Sequence, residues 1–130
     1  NLDLDRHYRI LLCVDDSTAT DRAVRFGATI AKQMNFPVTI MTVSKTEEFG
    51  PGYSGAAEAA SQHLESQQVD HEQKFITGDP VNSFIETAGE DHLIVMGSSS
   101  KSALAKFFLR SKPMKTLEKA NCPILVVRDK

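Results

Sequence analysis

Four short, almost wholly apolar runs separated by longer segments constrain this chain more than any other feature. Residues 9–15 (Arg-Ile-Leu-Leu-Cys-Val-Asp), Val38 to Val43, Leu93-Ile94-Val95-Met96 and Ile124 to Val127 have the length of strands, and they are too continuously apolar for strands with one wet face. They read as strands covered on both sides. Residues 70–77 alternate polar and apolar only weakly, which predicts a strand nearer the edge of the same sheet. The segments between strands are long enough to return across a sheet, so parallel pairing with right-handed crossovers is expected. The predicted fold is a doubly wound α/β sandwich, a five-stranded parallel sheet with helices on both faces.

The connecting segments carry helix signals. Asp16, Ser17 and Thr18 offer N-caps, and Ala19, Ala23, Gly27, Ile30, Ala31 and Met34 then recur at three- and four-residue spacing. Asn35 and Pro37 stop this first helix. Residues 45–55 hold Gly50, Pro51, Gly52 and Gly55 without periodicity and predict a flexible loop. A short helix follows over roughly 56–67, with Ala56, Ala60 and Leu64 on one face. Asp79-Pro80 predicts a third helix, because Asp caps free amides and a first-position proline has no amide to leave unpaired. Val81, Phe84, Ile85 and Ala88 supply its buried face. At 130 residues the chain fits one domain, taken as residues 1–130.

Charge and composition exclude several function classes. A formal net charge of −2 provides no positive field for a polyanion, so nucleic acid is not the expected partner. Cys13 and Cys122 lie in apolar runs and read as core residues, and His7, His63, His71 and His92 are scattered without metal-ligand spacing, so no metal is expected. The longest apolar run is far below the ~20 residues of a membrane helix, and a cytoplasmic protein is expected. The sequence begins with Asn1, as a trimmed chain or a piece of a longer protein would.

In a doubly wound sheet the ligand site lies beyond the C-terminal strand ends, which here are Asp15, Val43 and Gly97. The Asp15 carboxylate can accept from a ribose hydroxyl, hold a cation, or simply cap the first helix. Asp15-Asp16 is also similar to the acidic pair of receiver domains, but the third strand ends at Thr77-Gly78 with no acceptor Asp. After the fourth strand, Gly97 to Ser111 combines small residues with Lys101 and Arg110. Such a loop leading into a helix can aim amides at a phosphate, or can be a polar loop over Leu104, Phe107 and Phe108. Ser111 is placed to cap a helix whose inner face is Met114, Leu117 and Ala120. No triad, paired-carboxylate site or metal cluster points to an enzyme.

The succession Ile10-Leu11-Leu12-Cys13-Val14-Asp15, Gly78-Asp79-Pro80, Leu93-Ile94-Val95-Met96-Gly97-Ser98 and Cys122-Pro123-Ile124-Leu125-Val126-Val127 resembles the universal stress protein family across nearly the whole chain. The resemblance implies strand order 3-2-1-4-5, homodimers paired through Ile124, Leu125, Val126 and Val127, and a regulatory function without a shared catalytic reaction. It also implies either an ATP- or AMP-binding switch or a variant that has lost binding; no cofactor is obligatory. A regulatory domain cut from a transporter or tandem protein is a third alternative. The nucleotide positions it implies are Asp15, Val43, Met96, Gly97, Ser98, Ser100 and Ser111. The binding branch has Gly-x2-Gly-x9-Gly-Ser/Thr after strand four, and two of its glycines are replaced here by Ser100 and Arg110. Glycine lets backbone approach phosphate closely, which serine does poorly and arginine obstructs, so weakened binding is expected.

Overall fold

The structure is a computed structural model that describes residues 7–15, 18–44, 50–98 and 122–128. Its elements run β1 (Arg9–Cys13), α1 (Thr18–Met34), β2 (Val38–Ser44), α2 (Pro51–Ser66), β3 (His71–Thr77), α3 (Pro80–Thr87), β4 (His92–Ser98) and β5 (Ile124–Arg128). All five strands are parallel, in the order β3-β2-β1-β4-β5. The chain therefore winds outward from β1 to β3 and crosses back to β4, which leaves a switch point between the C-terminal ends of β1 and β4.

The apolar runs are continuous because both faces of the sheet are covered. On one face Ile10, Leu12, Val14, Val38, Ile40, Leu93 and Val95 pack with Ala23, Val24, Ala28 and Ala31 of α1 and with Ala57, Ala60 and Leu64 of α2. On the other, Leu11, Cys13, Met41, Val43, Ile94 and Met96 surround Phe84 of α3. Alternate residues of one strand thus enter opposite cores. A Cβ on Gly27 would stand 3.4 Å from Leu12 Cδ1 and 3.6 Å from Val95 Cγ1, so α1 lies close against the sheet there.

Two expectations are corrected. Met34, assigned to the buried face of α1, is 40% exposed, while Val24 and Ala28, outside the assigned stripe, are buried. The core side of α1 is thus wider than the assigned stripe, and Ala31 is the residue of its last turn that reaches the core. The flexible loop over 45–55 is also too long: α2 begins at Pro51, with Gly50 as its extended N-cap. Proline at the first helical position loses no hydrogen bond, so a segment dense in Gly and Pro still opens a helix. Residues 45–49 lie outside the described residues.

Both long helices end in left-handed caps. Asn35 has φ 58° and Gln68 φ 59°. The Phe36 amide bonds the Ala31 carbonyl, and the Val69 amide bonds that of Leu64, closing the six-to-one loop of a Schellman cap. In α3, Asp79 caps as expected, accepting from the Asn82 amide at 3.1 Å. Phe84 is buried, and Ala88 packs half-buried as the C-cap residue. The side chains of Val81 and Ile85 lie outside the description. β3, the outer strand, is exposed at five of its seven positions. Among the described residues no helix is long and apolar enough to cross a membrane.

Candidate functional site

Asp15 stands two residues beyond β1, and α1 supplies its partner. The Asp15 amide donates to Thr20 Oγ1 at 3.2 Å, and the Thr20 hydroxyl donates to Asp15 Oδ1 at 2.6 Å. Thr20 and Asp15 are both buried, so this reciprocal pair fixes the carboxylate at the first turn of α1. The reading of Asp15 as an acid at a strand end missed this partner. Its signal was a threonine five residues on, one turn into the helix.

A cleft of about 310 Å³ opens from Asp15 between α1 and α2. Thr20, Asp21, Val24 and Arg25 line one wall, and Gly52, Ala56, Ala59, Ala60 and His63 line the other. The small residues of α2 leave the space, and Asp21 and Arg25 pair at 3.2 Å on the rim. Its volume lies at the lower end for small-molecule sites. A second cleft of about 350 Å³ lies at the opposite end, between the two helix C-caps, lined by Lys32, Asn35, Gln68 and Asp70 among others. That cleft is larger, yet it sits at the N-terminal ends of the strands, where α/β sheets do not place ligands.

Among the described residues, the site positions expected from the sequence gather at one end of the sheet but do not share one cavity. Register sets Cys13 beside both Met41 and Met96, so Asp15, Val43 and Gly97 emerge together at the C-terminal edge. Of these described residues only Asp15 lines the cleft. The side chains of Val43 and Met96 are buried in the core on the opposite face, and the Met96 main chain is paired within the sheet, beside Cys13 on one side and Val126 on the other. Gly97 is paired with Val127, and Ser98 with Arg128. Ser100, Arg110 and Ser111 lie outside the described residues, as does the helix predicted to follow Ser111.

Of the four β5 positions assigned to self-association, Ile124 and Leu125 are half-buried, Val127 is buried and Val126 is 43% exposed. Burial pushes the Cys13 thiol well above the usual thiol range, and the nearby Asp15 charge adds to this. Cys122 is pushed up by its partial burial and then by Asp91. Neither is a poised nucleophile. Among the described residues no group of three His, Cys, Asp or Glu side chains could hold a metal.

Compared with known protein families, residues 7–128 match the universal stress protein family. A universal stress protein of Mycobacterium tuberculosis is 26% identical over 142 residues, covering 94% of this chain and 48% of the relative. The chain thus spans about half the length of the first curated relatives it matches. Among solved structures, a universal stress protein in complex with cAMP superposes with a TM-score of 0.75 at 23% identity, over 96% of this chain and 99% of that one. The Archaeoglobus fulgidus universal stress protein in complex with dAMP gives 0.67 at 21%, over 93% and 98%.

Proposed function

This chain belongs to the universal stress protein family, and from that premise we propose that it is one non-enzymatic, homodimeric, cytoplasmic regulatory domain whose adenine-nucleotide site has been weakened. The observation that carries the nucleotide part is the cleft opening from the buried Asp15 carboxylate at the C-terminal end of β1. Asp15, held by Thr20, accepts from ribose hydroxyls. The base lies toward the strand ends, where the main chain of Val43 and Gly97 offers donors and acceptors. Phosphates fall to Ser98, Ser100 and Ser111, and it is here that Ser100 and Arg110 stand where the binding branch has glycine. The site therefore keeps its nucleoside half and loses phosphate affinity.

Mass spectrometry of natively purified protein tests this reading. It predicts no stoichiometric nucleotide; a co-purified ATP or AMP at one per chain would contradict it. That outcome would favour the second reading, a nucleotide-loaded switch, which the cAMP and dAMP complexes of the structural neighbours support. A third reading, a unit within a longer tandem or transporter protein, is supported by relatives about twice this length and is tested by the length of the gene.

The dimer rests on β5. It is an outer strand whose Val126 side chain is exposed, and antiparallel pairing with a second β5 would satisfy its outward main-chain groups and cover that apolar surface. Val126→Lys sets like charges near the two-fold axis and should give a monomer by light scattering. A monomeric unaltered protein would refute the pairing.

A further inference from the structure

A hydroxyl of α2 is held by an imidazole rather than by the main chain. Ser61 Oγ lies 2.9 Å from His71 Nε2, and His71 Nδ1 lies 2.9 Å from the Val69 carbonyl oxygen. The turn out of α2 brings these groups together. With Gln68 left-handed and the Val69 amide bonded to the Leu64 carbonyl, the chain doubles back so that β3 starts beside the helix. His71 pairs in register with Val38, whose side chain lies in the core beneath α1 and α2, so the imidazole is on the same face of the sheet as Ser61. Both side chains are half-buried.

The Val69 carbonyl fixes the tautomer. A main-chain oxygen only accepts, so Nδ1 carries the ring proton, and in the neutral ring Nε2 keeps its lone pair. Ser61 is then the donor, and its proton points at a base. A hydroxyl within about 2.6–3.2 Å of a base that a third group orients is the arrangement of an activated nucleophile. We propose that Ser61 is a covalent modification site, a nucleophile that takes a small acyl group from an activated ester with His71 as its general base.

In this step Ser61 Oγ attacks the acyl carbon as its proton passes to His71 Nε2. The Oγ–C bond forms, the bond from the acyl carbon to the leaving group breaks, and the leaving group departs with the proton that His71 took. An ester and a hydroxyl give a new ester and a free alcohol, with no change of oxidation state. The hollow beside His71, which Arg9, Asp70 and Glu72 also line, has a volume of about 90 Å³. That is well below the ~300 Å³ of a small-molecule pocket, so it suits an acetyl group and not a long chain. The acylated oxygen has no proton to give, and the bond that ties α2 to β3 is lost. Ala60 and His63, within two residues of Ser61, line the cleft at Asp15, so modification of Ser61 acts on the wall of that cleft. The reaction is stoichiometric: it adds an input to a regulatory domain without making it an enzyme, and it stands apart from the nucleotide and dimer readings.

Peptide mass spectrometry of the protein treated with p-nitrophenyl acetate tests the proposal, with Ser66 as the internal standard. Ser66 is on the same helix and is exposed, but its hydroxyl donates to the His63 carbonyl at 2.6 Å, an acceptor that cannot take up its proton. Access alone would favour Ser66, whereas activation by a base favours Ser61. Acetylation at Ser61 should be about tenfold faster than at Ser66 or more. His71→Gln keeps a polar partner for Ser61 but supplies no base, and it should bring the Ser61 rate down to that of Ser66, with urea unfolding checking that the variant is folded. A Ser61 rate no greater than that of Ser66 in the unaltered protein would overturn the proposal, as would a Ser61 rate unchanged by His71→Gln.

Discussion

Phe84→Ala removes the described side chain that ties α3 to the sheet most completely. Phe84 is 1% exposed and sits among Leu11, Cys13, Met41, Val43, Ile94 and Met96. An aromatic side chain buries about 150–250 Å², and at about 25 cal/mol per Å² the part lost on truncation to alanine is worth roughly 3–4 kcal/mol. An unfilled cavity adds to this, which gives an expected loss of about 3–5 kcal/mol. For 130 residues the unfolding entropy near the midpoint is about 0.27 kcal/mol per kelvin, so Tm should fall by roughly 11–18 °C. Urea unfolding followed by circular dichroism measures the loss, with Phe84→Leu as a milder control. A cost below about 1 kcal/mol, the scale of a surface change, would refute the placement of α3.

Two further outcomes follow from the caps and the thiols. Gln68→Gly should stabilise by about 0.5–1 kcal/mol, since relief of the left-handed strain outweighs the added freedom of the unfolded chain; a destabilised variant in urea unfolding would contradict the Schellman geometry. Cys13, held neutral by burial, contributes stability that is complete below the pKa of an unfolded thiol and falls as pH rises through the folded value. Stability should therefore decline above about pH 9, more steeply in the unaltered protein than in Cys13→Val, and equal slopes would remove Cys13 as the cause.

The strands were legible because each apolar run enters two cores at once: Leu11 and Leu12 are both fully buried, on opposite faces. β3 was legible as an outer strand for the converse reason, its exposed Glu72 to Phe75. The start of α2 was not, because Gly50, Pro51, Gly52 and Gly55 are poor helix residues individually, and the helix is held by Ala57, Ala60 and Leu64 further along. Met34 was misassigned because periodicity gives the angle of a residue around a helix but not whether another element covers it there, and Met34, the last residue of α1, is left 40% exposed. At the site, Asp15 could be found from its strand end. The α1/α2 cleft could not, because it is made by small side chains of α2 that sequence spacing alone assigns to packing.

Titration calorimetry of ATP into the unaltered protein tests the weakened nucleotide site most directly, because it measures the affinity that Ser100 and Arg110 are argued to have removed. A weakened site gives no measurable heat or a Kd above about 100 μM, with the double variant Ser100→Gly, Arg110→Gly binding about tenfold tighter or better. A Kd in the low micromolar range or below for the unaltered protein would contradict it.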